Sequence, residues 1–121
     1  MSGKASSQVV VDASLVIKWL LPEPDSGAAL KQRRVWQEHG VVPVAPDFLL
    51  IELHNVCWKK LQRGEITIDA PILSYLPTFR LEFTLVPFEP LLPFAWTVAV
   101  RCHVSIYDGL YAALAQQLSA P

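Results

Sequence analysis

Val9-Val10-Val11 runs straight into Asp12, and a helical pattern begins two residues later at Ser14. Consecutive β-branched residues favour extended backbone. With no polar residue alternating among them, the run reads as a strand buried on both faces, because a half-exposed strand would alternate. Ser14 to Leu21 then carries an apolar stripe (Leu15, Val16, Trp19, Leu20) that the Pro22-Glu23-Pro24 breaker ends. A strand passing directly into a helix leaves few options. If the unit repeats along the chain, the strands pair in parallel and the helices cover them.

The unit does repeat. Asp25 or Ser26 can cap a second helix reaching about His39, with Gly40 as its stop, and Val41 to Ala45 forms a second strand. Pro43 inside that strand argues for an edge position, since proline cannot donate to a ladder. Pro46-Asp47 opens a long helix with Asp47 as N-cap and Gly64 as its close, and Lys59, Lys60 and Arg63 lie in its last turns, where the helix dipole favours cations. A helix interrupted by Pro71 and Pro77 is expected over 70–78, and a third strand over 83–88. Two further helices follow over 91–103 and 105–119, the second capped by Ser105. The expected architecture is a three-layer α/β/α sandwich around a parallel sheet.

Composition agrees with a packed fold. The 121 residues suit a single domain over 1–121, hydrophobic residues make up 52% and charged residues 17%. A disordered chain would not carry that balance. The polar start MSGKASSQ and the lack of a long apolar run exclude a signal peptide and a membrane span, so a cytoplasmic protein is expected. Cys57 and Cys102 have no metal-ligand spacing and are expected to be reduced, buried thiols. His39, His54 and His103 show no metal spacing either. Trp19, Trp36, Trp58 and Trp96 fit core or dimer-interface positions, and such aromatic helices in an apolar chain suggest a homodimer.

Three carboxylates stand where a solvated surface charge would not be expected. Asp12 ends an apolar strand, and ligand sites in parallel α/β sheets form at the carboxyl ends of strands. Glu52 is set among Phe48, Leu49, Leu50, Ile51 and Leu53, with Asn55 three residues on along the same face. Asp108 heads a small-residue face with Ala112 and Ala115. Plainer roles fit each of them: a helix cap for Asp12, and first-turn partners of a helix dipole for Glu52 and Asp108. Taken together, carboxylates without His or Cys select hard cations such as Mg²⁺ or Mn²⁺, which retain waters and take phosphate oxygens. Net charge is −1. Committing these three acids to metal would leave the rest of the surface mildly cationic, which is compatible with RNA.

Val9-Val10-Val11-Asp12-Ala13-Ser14, the segment Pro46-Asp47-Phe48-Leu49-Leu50-Ile51-Glu52-Leu53-His54-Asn55, and Ser105-Ile106-Tyr107-Asp108-Gly109-Leu110-Tyr111-Ala112-Ala113-Leu114-Ala115 together resemble the PIN-domain family, nearest to the VapC-type toxins of toxin–antitoxin pairs. The resemblance covers nearly the whole chain. It implies a Mg²⁺- or Mn²⁺-dependent endoribonuclease that dimerises and is neutralised by a small antitoxin protein. Asp12, Glu52 and Asp108 match the family's first three acids, Ser14 its small hydroxyl residue, and Asn55 its polar residue past the second acid. The family continues beyond a segment like Leu118-Ser119-Ala120-Pro121 into another strand and a Thr-x-Asp-type motif carrying a fourth acid, which this sequence lacks. An exposed sheet edge beside Asp12 and a single ion are therefore expected. Lys18, Lys59, Lys60 and Arg63 are candidate contacts to the RNA backbone, or ordinary solvated charges. The alternative function is an impaired PIN-like domain that binds an antitoxin or acts as a scaffold. An aspartyl-phosphate phosphotransferase is disfavoured, because its second acid would fall at Ser14.

Overall fold

The computed structural model describes residues 7–79 and 82–119; the N-terminal Met1 to Ser6, Arg80, Leu81, Ala120 and Pro121 lie outside the described residues. In chain order the elements are β1 (Gln8–Val10), α1 (Ala13–Leu20), α2 (Ser26–Glu38), β2 (Val42–Pro46), α3 (Leu49–Gln62), α4 (Pro71–Phe79), β3 (Thr84–Val86), a 3₁₀ turn (Glu89–Leu91), α5 (Leu92–Cys102) and α6 (Ile106–Ser119). The strands form one parallel sheet in the order β1-β2-β3.

Alternation along the strands sends side chains into two cores. Val9, Ala45 and Leu85 face a cluster built with α1 to α4, including Val16, Leu49, Leu53, Leu76 and Phe79. Val10, Val44 and Val86 face the opposite cluster, built with α5 and α6 through Ala95, Leu110, Ala113 and Leu114. This is the expected α/β/α sandwich. Leu49, Leu53, Leu76, Leu114 and Phe79 are fully buried, and truncating any of these leucines to Ala costs about 2–5 kcal/mol.

Pro43 does not mark an edge. β2 is the central strand, paired with both neighbours. The register explains why proline is tolerated there. Val42 N–H donates to Ser7 and Val11 N–H donates to Val44, so the even residues of β2 face β1, and Asp47 N–H donates to Val86, so the odd ones face β3. Pairing with β3 starts at Val44–Thr84, beyond Pro43, and pairing with β1 ends at Val10–Val44, before Pro46. Each proline therefore occupies a position whose missing N–H has no strand opposite it.

β1 is an edge strand, as β3 is, and its burial departs from the sequence expectation. Gln8 is exposed and Val9 and Val10 are only half-buried, whereas Val11 is buried just beyond the strand. Among the described residues no strand pairs with the outer side of β1, which is the open edge anticipated beside Asp12.

Helix ends follow local rules with two departures. Gly40 and Gly64 take the left-handed conformation, with φ of 68° and 74°, and so end α2 and α3 as expected. Asp47 does not cap α3. Its backbone extends the β2–β3 ladder, and Phe48 takes the N-cap position without a side-chain bond. Pro71 begins α4, and Pro77 lies inside it without ending it; burial of Leu76 and Phe79 on either side holds the last turn in place. Cys57 is buried, but Cys102 is exposed at the end of α5, contrary to the expectation for both thiols. Trp19 is buried against Trp36 edge-on, while Trp58 and Trp96 are 57% and 66% exposed. No helix among the described residues is long and apolar enough to cross a membrane.

Candidate metal centre

Three loci far apart in sequence meet at the carboxyl end of the sheet. Asp12 follows β1, Glu52 stands in the first turn of α3, and Asp108 in the first turn of α6. All three line one open depression of about 330 Å³ together with Ser14, Asn55, Val56, Lys59 and Tyr111. The parallel topology accounts for the meeting, because both helices begin near the sheet end at which β1 stops.

Asp12 carries the helix-cap role considered above and lines the depression as well. Its Oδ1 accepts from Leu15 N–H at 3.0 Å and from Ser14 Oγ at 2.9 Å, which caps α1 and ties Ser14 to the acid. Ser105 Oγ accepts from Asp108 N–H at 3.0 Å, as expected for the cap of α6, and Asp108 itself is exposed.

Glu52 is half-buried, and the Tyr111 phenol donates a hydrogen bond to its Oε1. Burial pushes the Glu52 pKa above the usual glutamate value; the Tyr111 bond opposes this, and the charges of Asp12 and Asp108 add to it. Burial also raises the Tyr111 pKa, with its bond to Glu52 and the nearby acids adding to the effect. Sequence reasoning passed over Tyr111. Its position three residues after Asp108 on α6 was the available signal, because i and i+3 share a helix face.

An oxygen-only donor set with mutual repulsion among three acids fits a hard divalent cation in charge and chemistry. As the side chains stand, however, no group of three or more His, Cys, Asp or Glu residues among those described is gathered closely enough to hold a metal. The cap uses only Oδ1 of Asp12 and the Tyr111 bond only Oε1 of Glu52, so each carboxylate keeps a second oxygen, and what ligation requires is a closer approach of the side chains.

The four candidate cations divide. Lys18 pairs with Asp25 at 2.7 Å, Lys60 with Glu23 at 3.2 Å and Glu65 at 3.3 Å, and Arg63 with Glu65 at 3.5 Å. Of the four, Lys59 alone lines the acidic depression. His39 and His54 point their Nδ1 atoms at the carbonyls of Val35 and Leu50, one turn back in their own helices.

The chain is similar to Ribonuclease VapC3 of Pyrobaculum aerophilum, 29% identical over 113 residues that span 92% of this chain and 83% of that protein. No protein-family model matches the chain.

Proposed function

We propose that the protein is a metal-dependent endoribonuclease, the toxin of a toxin–antitoxin pair, acting at the depression lined by Asp12, Glu52 and Asp108. The observation that carries the reading is the meeting of these acids, from three separated segments, at the carboxyl end of a parallel sheet. Similarity to a protein named Ribonuclease VapC3 over 92% of the chain supports the substrate class and the toxin role. Asp12, Glu52 and Asp108 are the residues that would hold Mg²⁺ or Mn²⁺, with Ser14 and Asn55 in support. An ion there supplies Lewis acidity toward a phosphodiester and makes water more acidic. The chain's own groups prepare the place: Ser14 steadies Asp12, Tyr111 fixes one oxygen of Glu52, and Asp108 adds charge from the opposite helix.

A small antitoxin protein and a second copy of the chain are the proposed partners, and the cytoplasm the proposed location. For the homodimer, the supporting feature is the exposed pair Trp96 and Val100, one turn apart on α5; a monomeric mass in light scattering at micromolar concentration would overturn it.

The second reading is an impaired PIN-like domain that binds an antitoxin or acts as a scaffold. The loose arrangement of the three acids favours it. Cleavage of a short fluorogenic RNA in Mg²⁺ or Mn²⁺ decides between the two. Activity that disappears in Asp12→Asn supports the nuclease; no cleavage in either protein, with no saturable Mn²⁺ binding, leaves the binding module.

A further inference from the structure

We infer that Lys59 is a substrate-binding residue that grips an RNA phosphate a few nucleotides from the acids; this deepens, and rests on, the nuclease reading. Along α3 and its C-cap Arg63, the residues Glu52, Asn55, Lys59 and Arg63 are spaced i, i+3, i+7 and i+11, which places them along one face. Two depressions share this face. The first holds the acids, with Asn55, Val56 and Lys59 on its wall. The second, of about 500 Å³, is lined by Pro22, Pro24, Val56, Lys59, Lys60 and Arg63, with Glu23 and Glu65. Val56 and Lys59 line both, so the surface is continuous from the acids to the cationic end of the helix.

Charge distinguishes Lys59 from its neighbours. In the second depression Lys60 is held by Glu23 and Glu65, and Arg63 by Glu65. Among the described residues no carboxylate pairs with Lys59, which is exposed. The Glu23 that holds Lys60 is itself kept in place by the 22–24 turn, where Ser26 Oγ accepts from Glu23 N–H at 2.9 Å and donates to Leu21 C=O at 3.0 Å. Lys59 is thus the cation at the junction that an anionic strand can take without breaking an ion pair.

The spacing suits a nucleic acid strand. Seven helical residues separate Lys59 from Glu52 by roughly 10 Å along the axis. A stacked strand advances about 3.4 Å per nucleotide. A strand with one phosphodiester at the acids therefore brings a phosphate about three nucleotides away to Lys59. Such a contact acts on binding and orientation and leaves bond breaking to the acid cluster.

The test compares wild type, Lys59→Ala, Lys59→Arg and, as a control lining neither depression, Arg34→Ala, on one fluorogenic RNA in saturating Mn²⁺ across a salt series. The expected result for Lys59→Ala is a KM raised about 10-fold, a kcat within about twofold, and a log–log salt slope shallower by about 0.7, the value for one phosphate contact on a single strand. Lys59→Arg restores most of the KM, and Arg34→Ala matches wild type. Cleavage by wild type with KM and salt slope unchanged in Lys59→Ala overturns the inference and leaves the nuclease reading intact. A KM change that tracks an equal change in Mn²⁺ affinity also overturns it, because Lys59 would then be a counter-charge to the acids. If wild type neither cleaves nor binds the RNA, the nuclease reading itself has failed.

Discussion

The Tyr111 phenol on α6 donates to the Glu52 carboxylate on α3, joining two helices on opposite faces of the sheet. Phe48, just before α3, packs edge-on against Tyr111 at 5.6 Å between ring centroids and steadies that ring. Tyr111→Phe keeps the ring and removes the bond, so it isolates what the hydroxyl does. It is expected to lower stability by about 1 kcal/mol. It is also expected to weaken Mn²⁺ binding at least ~10-fold, the usual consequence of losing a group that orients a ligand. Chemical denaturation and Mn²⁺ titration measure the two effects; unaltered Mn²⁺ affinity would show that Tyr111 only braces the helices.

Asp12 combines two roles that substitutions can separate. Asn accepts the Leu15 N–H as well as Asp does, so Asp12→Asn is expected to keep the α1 cap, with a melting temperature close to wild type, and to abolish the metal-dependent cleavage proposed above. Asp12→Ala loses both, with a stability cost of about 1 kcal/mol. Equal destabilisation by the two variants in thermal melts would mean that capping is not what the side chain contributes to the fold.

Gly109 sets local propensity against packing. Ala in place of Gly inside a helix gains about 1 kcal/mol from propensity. Here the added Cβ would stand 2.5 Å from the Ala95 carbonyl oxygen, backbone that cannot step aside without moving α5 from α6. Forcing that contact costs about 1–3 kcal/mol. Gly109→Ala is therefore expected to be destabilising, by up to about 2 kcal/mol, in a denaturant melt. A stabilised variant would show that the two helices separate easily.

Glu52 makes the metal-free protein sensitive to pH. Burial raises its folded pKa above the unfolded value, so the folded state holds the proton more tightly. The resulting stability is fully present below the unfolded pKa and is lost as pH rises through the folded one. Wild type should therefore lose stability relative to Glu52→Gln as pH rises above the usual glutamate value. Asp25, Glu65 and Asp69, whose pKa values are lowered by hydrogen bonds to Lys18, to Lys60 and to Thr67, give the opposite slope in both proteins, and the difference cancels it. Parallel stability curves for the two proteins in chelator would contradict the assignment, and saturating Mn²⁺ should remove the wild-type loss.

Much of this molecule could be read locally. Consecutive valines, breakers such as Pro22-Glu23-Pro24, and glycines at 40 and 64 act over a few residues, so the order of strands and helices, and hence the parallel sandwich, follows from sequence periodicity. The three acids were legible too, because each interrupts an apolar pattern. Other features depend on partners distant in the chain. Pro43 is central rather than peripheral because register, which no single strand encodes, places its missing N–H before the start of the pairing with β3. Asp47 extends a ladder instead of capping a helix because Val86 lies opposite it. Tyr111 meets Glu52 across 59 positions, and Lys59 stands clear while Lys60 is held by Glu23, through packing of helices that no local window contains. Propensity and pattern are properties of neighbours along the chain; hydrogen-bond partners, ion pairs and shared pockets are properties of neighbours in space, and only the tertiary structure decides those.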